Sequence, residues 1–232
     1  MLRVVQFPQQ ICGVRARFSE AFIERAESDA RHFHDATNRP GASATADRLK
    51  SHRFSRAAVS FLSRSLGLSG TLRADPQWGF LTWENRDGQI FSVSLAHTED
   101  AACVVIAKFA VGIDIESESR SVDKLASRLY TDFENTWSSE NNIPRIHVWC
   151  AKESVLKALG TGIQGGLKKI ELHPRDRDRS FYDVQSVVQS VIAPSACSAA
   201  DLCVQVETWD KFVIAVSSHR RALEMGVHWV GD

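Results

Sequence analysis

A chain of 232 residues, 44% hydrophobic and 24% charged, is long enough to bury a sizeable core as one large domain or two small packed lobes. Its 28 basic and 28 acidic residues balance, which excludes a general polyanion binder and leaves room only for local basic sites. Five cysteines with no CxxC pair read as buried reduced thiols of a cytosolic protein and argue against a zinc site. The start "MLRVVQFPQQ" has no apolar run of signal-peptide length, and "AACVVIAKFAV" is interrupted by Lys108 and too short to span a bilayer. The expectation is a cytoplasmic protein with no membrane and no nucleic-acid partner.

In chain order, Phe18 to His34 shows apolar residues at helical spacing behind Ser19 as N-cap, and predicts a helix. A loop rich in small residues follows over 38–47. Leu49 to Gly67 predicts a second helix, closed by Gly67. "WGFLTWE" and "IFSVSLAH" alternate like strands around the turn "NRDG". "ACVVIAKF" and "VGIDIE" read as two adjacent, paired strands. "SVDKLASRLY" is helical, and "TDFENTWSSENN" is a polar connector or short helix. Pro144 marks a break before Arg145 to Gly162, the strongest helical pattern of the chain. A Gly-rich turn, a charged loop "HPRDRDRS" and three strand-like runs, "FYDVQSVVQSVIA", "LCVQVETW" and "KFVIAVSS", complete it. Helices and strands recur in both halves, so the predicted class is α+β, with a division near Asp123 into residues 1–122 and 123–232.

The stretch "VGIDIE" raises a chemical question. In a strand, Val111, Ile113 and Ile115 share one face while Gly112, Asp114 and Glu116 share the other. Two carboxylates side by side suit either a solvated edge or a metal site that takes a further ligand from elsewhere. The helix after Pro144 offers one: Trp149, Glu153, Lys157 and Gly160 lie on one helical face. A Glu-to-Lys pair at that spacing is by itself a common surface feature worth a few tenths of a kcal/mol. Three acids, Asp114, Glu116 and Glu153, would suit a hard divalent ion such as Mg²⁺ that bridges a substrate phosphate, with Lys157 close by. Lys152 lies off this stripe and is expected in solvent or reaching a phosphate from the rim. His97 ends a strand-like run, and Arg53 and Arg64 lie about three turns apart on one helix face. Taken singly, each is ordinary.

Their order changes the weighing. An arginine helix, a strand ending in His97, then "GIDIE" and "WCAKESVLKALGTG" resembles the 4'-phosphopantetheinyl transferase superfamily. The family patterns G-[IV]-D-[IVL]-E and W-x-x-K-E-[AS]-x-x-K-[AL]-x-G are both matched, at Gly112 to Glu116 and from Trp149 to Gly160. Weaker similarity runs from about Arg48 through His97. The chain length is similar to that of the larger, monomeric surfactin-synthetase type, which implies two related α/β lobes forming a pseudo-dimer with the active site between them.

The resemblance implies transfer of the phosphopantetheine arm of coenzyme A, the co-substrate, to a serine of an apo acyl, peptidyl or aryl carrier protein, with release of adenosine 3',5'-bisphosphate. By motif position Asp114, Glu116 and Glu153 would hold Mg²⁺, with Mn²⁺ as an alternative. Glu153 would act as or orient the base, Lys157 would stabilise the departing phosphate, and His97 would contact the pyrophosphate. Arg53 would grip the 3'-phosphate, with Lys152 and Lys157 also toward coenzyme A. An acidic carrier helix would dock on Arg120, Lys124 and Arg128, spaced by four. Several family features are altered. "NRDGQ" stands where a Gly-Lys-Pro turn is usual, with Arg86 as a substitute. Ala96-His97-Thr98 replaces Ser-His-Ser, and "LYTDFE" is a reduced form of the usual aromatic and acidic run. Two other readings use the same residues: a Mg²⁺-dependent nucleotide pyrophosphohydrolase with water as acceptor, and a non-catalytic module that binds carrier proteins or coenzyme A.

Overall fold

Hydrophobic alternation marks many of the strands, and these assemble into two separate sheets. The structure, a computed structural model, describes residues 11–17, 19, 21, 24, 33–35, 46–74, 80–162, 166–175, 180–186, 202–224 and 226–230. The chain forms two units, residues 1–108 with 225–232, and residues 109–224.

The first unit carries a seven-stranded sheet in the order β12-β1-β6-β5-β4-β3-β2. Its strands are β1 (Ile11–Arg17), β2 (Phe33–Asp35), β3 (Gly70–Ala74), β4 (Leu81–Asn85), β5 (Ile90–His97), β6 (Ala101–Ala107) and β12 (Val227–Trp229). All seven residues of β6 are buried. It lies between β1 and β5, where both edges are hydrogen-bonded. Helix α1 (Ala46–Ser65) lays Phe54, Ala57, Ala58 and Leu62 into a core with Cys12, Val14, Phe91 and Val104. That 3.6-residue recurrence is the stripe of a helix half-sunk in a sheet. The helix ends as its sequence predicts, with Leu68 N donating to Ser63 O at 2.7 Å beyond Gly67. The β4–β5 hairpin turns on Asn85, whose side-chain oxygen accepts from the backbone N–H groups of Asp87 and Gln89.

The second unit carries a five-stranded sheet in the order β7-β11-β10-β9-β8. These are β7 (Val111–Ser117), β8 (Ile170–Pro174), β9 (Phe181–Ser186), β10 (Leu202–Trp209) and β11 (Phe212–His219). Helices α2 (Ala126–Leu129), α3 (Asp132–Glu140), α4 (Arg145–Leu159) and α5 (Arg220–Glu224) complete it. Helix α4 packs on β7 and β11, burying Val148, Ala151, Val155, Leu156 and Leu159 against Val204, Val213 and Ala215. Its start follows Pro144, and it ends at Gly160, whose φ of 72° is a left-handed C-cap that a side chain would strain.

The α+β class holds, and two expectations change. "VGIDIE" does not pair with "ACVVIAKF": β7 is antiparallel to β11, with Asp114 opposite Ala215, in the other sheet. The first compact unit leaves off at Lys108 and the second begins at Phe109. Adjacency in sequence favours pairing, but β7 finds its partner about a hundred residues on because both strands must cover the same helix. The predicted helix over 18–34 lies mostly outside the described residues, and Phe33 and His34 open β2. Cys12, Cys103, Cys150 and Cys203 are buried free thiols, as expected, while Cys197 lies outside the described residues. Among the described residues no helix is long and apolar enough to cross a membrane.

Candidate functional site

Gly112 sets the geometry of the site. A Cβ at that position would lie 1.9 Å from Ser154 O and 2.6 Å from Ala158 N, both backbone atoms of α4. Only a residue without a side chain lets strand and helix approach this closely. Ser217, opposite Gly112 on β11, ties down the same contact by donating its hydroxyl to Ser154 O at 2.6 Å. Because strand side chains alternate, the face that Gly112 turns to α4 is also the face of Asp114 and Glu116. The glycine therefore brings both carboxylates against the helical stripe of Trp149, Glu153 and Lys157.

The contacts bear this out. Lys157 Nζ donates to Asp114 Oδ1 at 2.8 Å and to Ile113 O at 3.0 Å. Trp149 Nε1 donates to Glu116 Oε1 at 3.1 Å. The same carboxylate oxygen accepts from the Arg120 guanidinium, which also lies 5.3 Å above the Trp149 ring. Asp114 and Glu153 are 7% and 8% exposed. Asp114 Oδ2 and Glu153 Oε1 are buried with no hydrogen-bond partner. An unpaired buried carboxylate oxygen is costly, so two of them on one strand–helix contact point to an occupant.

Electrostatics agree with the geometry. Burial, and then the nearby Asp114 and Glu116 charges, push Glu153 up to about 7, against the pull of Lys157 and Arg120. Burial works against the Lys157 charge, but the ion pair with Asp114 and the field of Glu153 outweigh it, and its pKa stands above the ordinary lysine value. Three carboxylates thus share one region in which negative charge is under-compensated. Their donors are hard oxygens, the set that Mg²⁺ and Mn²⁺ prefer, and the two unpaired oxygens make these residues a chemical fit for such an ion. As they stand, no three His, Cys, Asp or Glu side chains among the described residues are gathered tightly enough to hold a metal. The protein's own cations, Lys157 on Asp114 and Arg120 on Glu116, hold two of the three acids.

Lys152 departs from expectation. It is neither in solvent nor at a phosphate rim but fully buried. Its ammonium donates to Leu129 O at 2.7 Å, Glu134 Oε2 at 2.5 Å and Leu167 O at 3.2 Å. All three N–H bonds are used inside the protein, which leaves none for coenzyme A. Glu134 is equally satisfied: its carboxylate also accepts from Thr131 N and Leu172 N. The pair joins α2, α3, α4 and β8 into one framework.

Arg53, on α1, and His97, at the end of β5, are exposed residues of the first unit. Arg120 does not share a helix face with Lys124 and Arg128. It lies in the turn after β7, ahead of the 3-10 turn Asp123–Leu125 that holds Lys124 and of α2 that holds Arg128. Lys124 and Arg128 are exposed. Reading by sequence missed the roles of Arg120 and Glu134. For Glu134 a signal existed, since Thr131-x-x-Glu134 is a capping box and both of its hydrogen bonds form. For Arg120 only half of one did: Glu116 lies four residues before it, but the Trp149 ring is distant in sequence.

A family comparison agrees with this geometry. Residues 110–216 match the model of the 4'-phosphopantetheinyl transferase superfamily, a span just under half of the chain. It includes β7, α4 and every acid and lysine of the site. A comparison with curated proteins finds no match. The resemblance read from the motifs is thus met at the level of the family by residues 110–216, which match the 4'-phosphopantetheinyl transferase superfamily.

Proposed function

We propose that this protein is a phosphopantetheinyl transferase, a reading that the superfamily match supports in general terms. We propose, more narrowly, that this protein transfers the 4'-phosphopantetheine arm of coenzyme A to a serine hydroxyl of an apo carrier protein, in the manner of the surfactin-synthetase type. The observation that carries the reading is the convergence of Asp114, Glu116, Glu153 and Lys157 on one strand–helix contact, with two buried carboxylate oxygens unpaired.

In the reaction the serine oxygen forms a bond to the phosphorus that carries the pantetheine. The phosphoanhydride P–O bond breaks, and adenosine 3',5'-bisphosphate departs. Asp114, Glu116 and Glu153 would hold Mg²⁺. Such an ion, when bound, offsets charge on the pyrophosphate oxygens. Glu153, with one carboxylate oxygen unpaired, is placed to accept the serine proton or to orient the group that does. Lys157 is held charged by Asp114 and Glu153, so it can offset negative charge that grows on the leaving phosphate. Gly112 and the Ser217–Ser154 contact keep these groups in register before substrate arrives, so little reorganisation is needed during the step. No side-chain nucleophile is required, since the attacking oxygen belongs to the carrier.

Arg53 and His97 are assigned to the coenzyme A phosphates by motif position alone, and Lys124 and Arg128 to an acidic carrier by charge. Intact mass of an apo acyl carrier protein after incubation with this protein, coenzyme A and Mg²⁺ tests the proposal. A gain of one phosphopantetheine arm is expected. Consumption of coenzyme A with no gain on acyl, peptidyl or polyketide carriers would replace it with a hydrolase. Intact coenzyme A and unmodified carriers would leave a binding module.

A further inference from the structure

The acids of the site do not wait in solvent for a cation. Glu116 is held by Arg120, whose guanidinium donates to Glu116 Oε1 while lying over Trp149, which donates to the same oxygen. Arg120 is 45% exposed, on the turn that follows β7. It is therefore tethered to the site by its backbone, by a ring and by one carboxylate, with open space on its outer side. Its charge is felt beyond Glu116: Arg120 is held above the usual arginine value by its hydrogen bond to Glu116 and by the charges of Glu116, Asp114 and Glu153, despite partial burial.

Resting on the proposed reading of these acids as metal ligands, we infer that Arg120 is a built-in counter-ion that competes with a divalent cation for Glu116. Two positive charges cannot share one carboxylate in a partly solvated site without repulsion, so a metal must displace the guanidinium or bind weakly beside it. Displaced, Arg120 stays close on the ring of Trp149, with its fork of donors turned to whatever anion arrives with the metal. The arrangement ties tight cation binding to the presence of an anionic substrate. It also accounts for three acids that lie together without forming a ready metal cluster among the described residues. Lys157 contributes the same effect at Asp114, but it is inward on the helix and hydrogen-bonded to the strand backbone at Ile113 O, so Arg120 is the exchangeable cation.

The test is Mn²⁺ binding to the full-length protein without coenzyme A, followed by the electron paramagnetic resonance signal of free Mn²⁺. Removing the charge in Arg120→Gln should tighten Mn²⁺ binding roughly tenfold, the scale of one nearby charge at a partly solvated site. Arg120→Lys keeps the charge but loses the planar fork, and should stay within about threefold of the wild type. Asp114→Asn should weaken binding in both the wild-type and Arg120→Gln backgrounds. Equal or weaker Mn²⁺ binding by Arg120→Gln overturns the inference while the metal assignment survives. So does equal tightening by Arg120→Lys, because that would assign the effect to packing and not to charge. Absence of Mn²⁺ binding in every variant overturns both the inference and the metal assignment. Phosphopantetheine transfer, read separately by carrier mass, then judges the proposed function on its own.

Discussion

Two lysines five residues apart on α4 are each paired with a carboxylate, and the pairs could hardly differ more. Lys152 and Glu134 are completely enclosed, and every donor and most acceptors between them are used. Lys157 and Asp114 are partly open, at 29% and 9% side-chain exposure, and Asp114 keeps one oxygen unpaired, as does Glu153. A saturated buried pair serves as a structural joint, because nothing more can bind to it without breaking it. An unsaturated pair at the edge of the core is a site, because the folded state has left part of its electrostatic demand unmet. The same helix therefore contains an anchor and a reactive face, separated by little more than one turn.

Variants can break or sharpen this contrast. The largest effect is expected from Asp114→Ala, which should lower phosphopantetheine transfer by about a thousandfold or more, in the range that follows loss of a key electrostatic group. Its melting midpoint should stay close to the wild type, since Lys157 keeps its bond to Ile113 O. An active, Mg²⁺-dependent Asp114→Ala protein would remove this residue from the site. At the other pair the outcome should be reversed. Glu134→Ala leaves the Lys152 ammonium buried and uncompensated, and should cost on the order of 3–5 kcal/mol in denaturant unfolding. Adding Lys152→Met should recover part of that loss, because no charge then remains to be buried. A Glu134→Ala protein as stable as the wild type would show that the enclosed pair is no joint.

Gly112→Ala probes what joins the two regions. The added methyl has no room against Ser154 O, so β7 must shift from α4, at a cost of roughly 1–3 kcal/mol and with a clear fall in transfer. Wild-type transfer in this variant would show that the close approach does not set the site. The smallest effect belongs to the exposed charges. Lys124→Glu with Arg128→Glu should slow transfer to an acidic carrier by several-fold at low salt and less at high salt, with no change in stability. Unchanged rates at low salt would discard these residues as a docking surface.

Much of the second unit is legible from local pattern. The strand period of "VGIDIE" put Asp114 and Glu116 on one face, the helical period put Glu153 and Lys157 on another, and Pro144 marked the start of the helix, whose expected end at Gly162 lies two residues past the Gly160 cap. These are short-range rules of backbone geometry, and a sequence states them directly. Short strands such as β3, β8 and β12 left no comparable trace, since three to five residues hold too few periods to stand out.

Long-range pairing decided the rest. That β7 joins β11 and not β6 depends on which surfaces α4 must cover, a property of the assembled unit. The fate of Lys152 was settled the same way: its position off the reactive stripe suggested solvent, yet α2, α3 and the segment at Leu167 close over it and Glu134 meets its charge. Arg120 became part of the site only because Trp149 and Glu116, far apart in sequence, present a ring and a carboxylate to the same guanidinium. The sequence by itself determined which chemical groups exist and which face each occupies on its own strand or helix, because those follow from dihedral geometry over a few bonds. Only the tertiary structure decided which charges were matched and which left unsatisfied, because that depends on what packs against them from elsewhere in the chain.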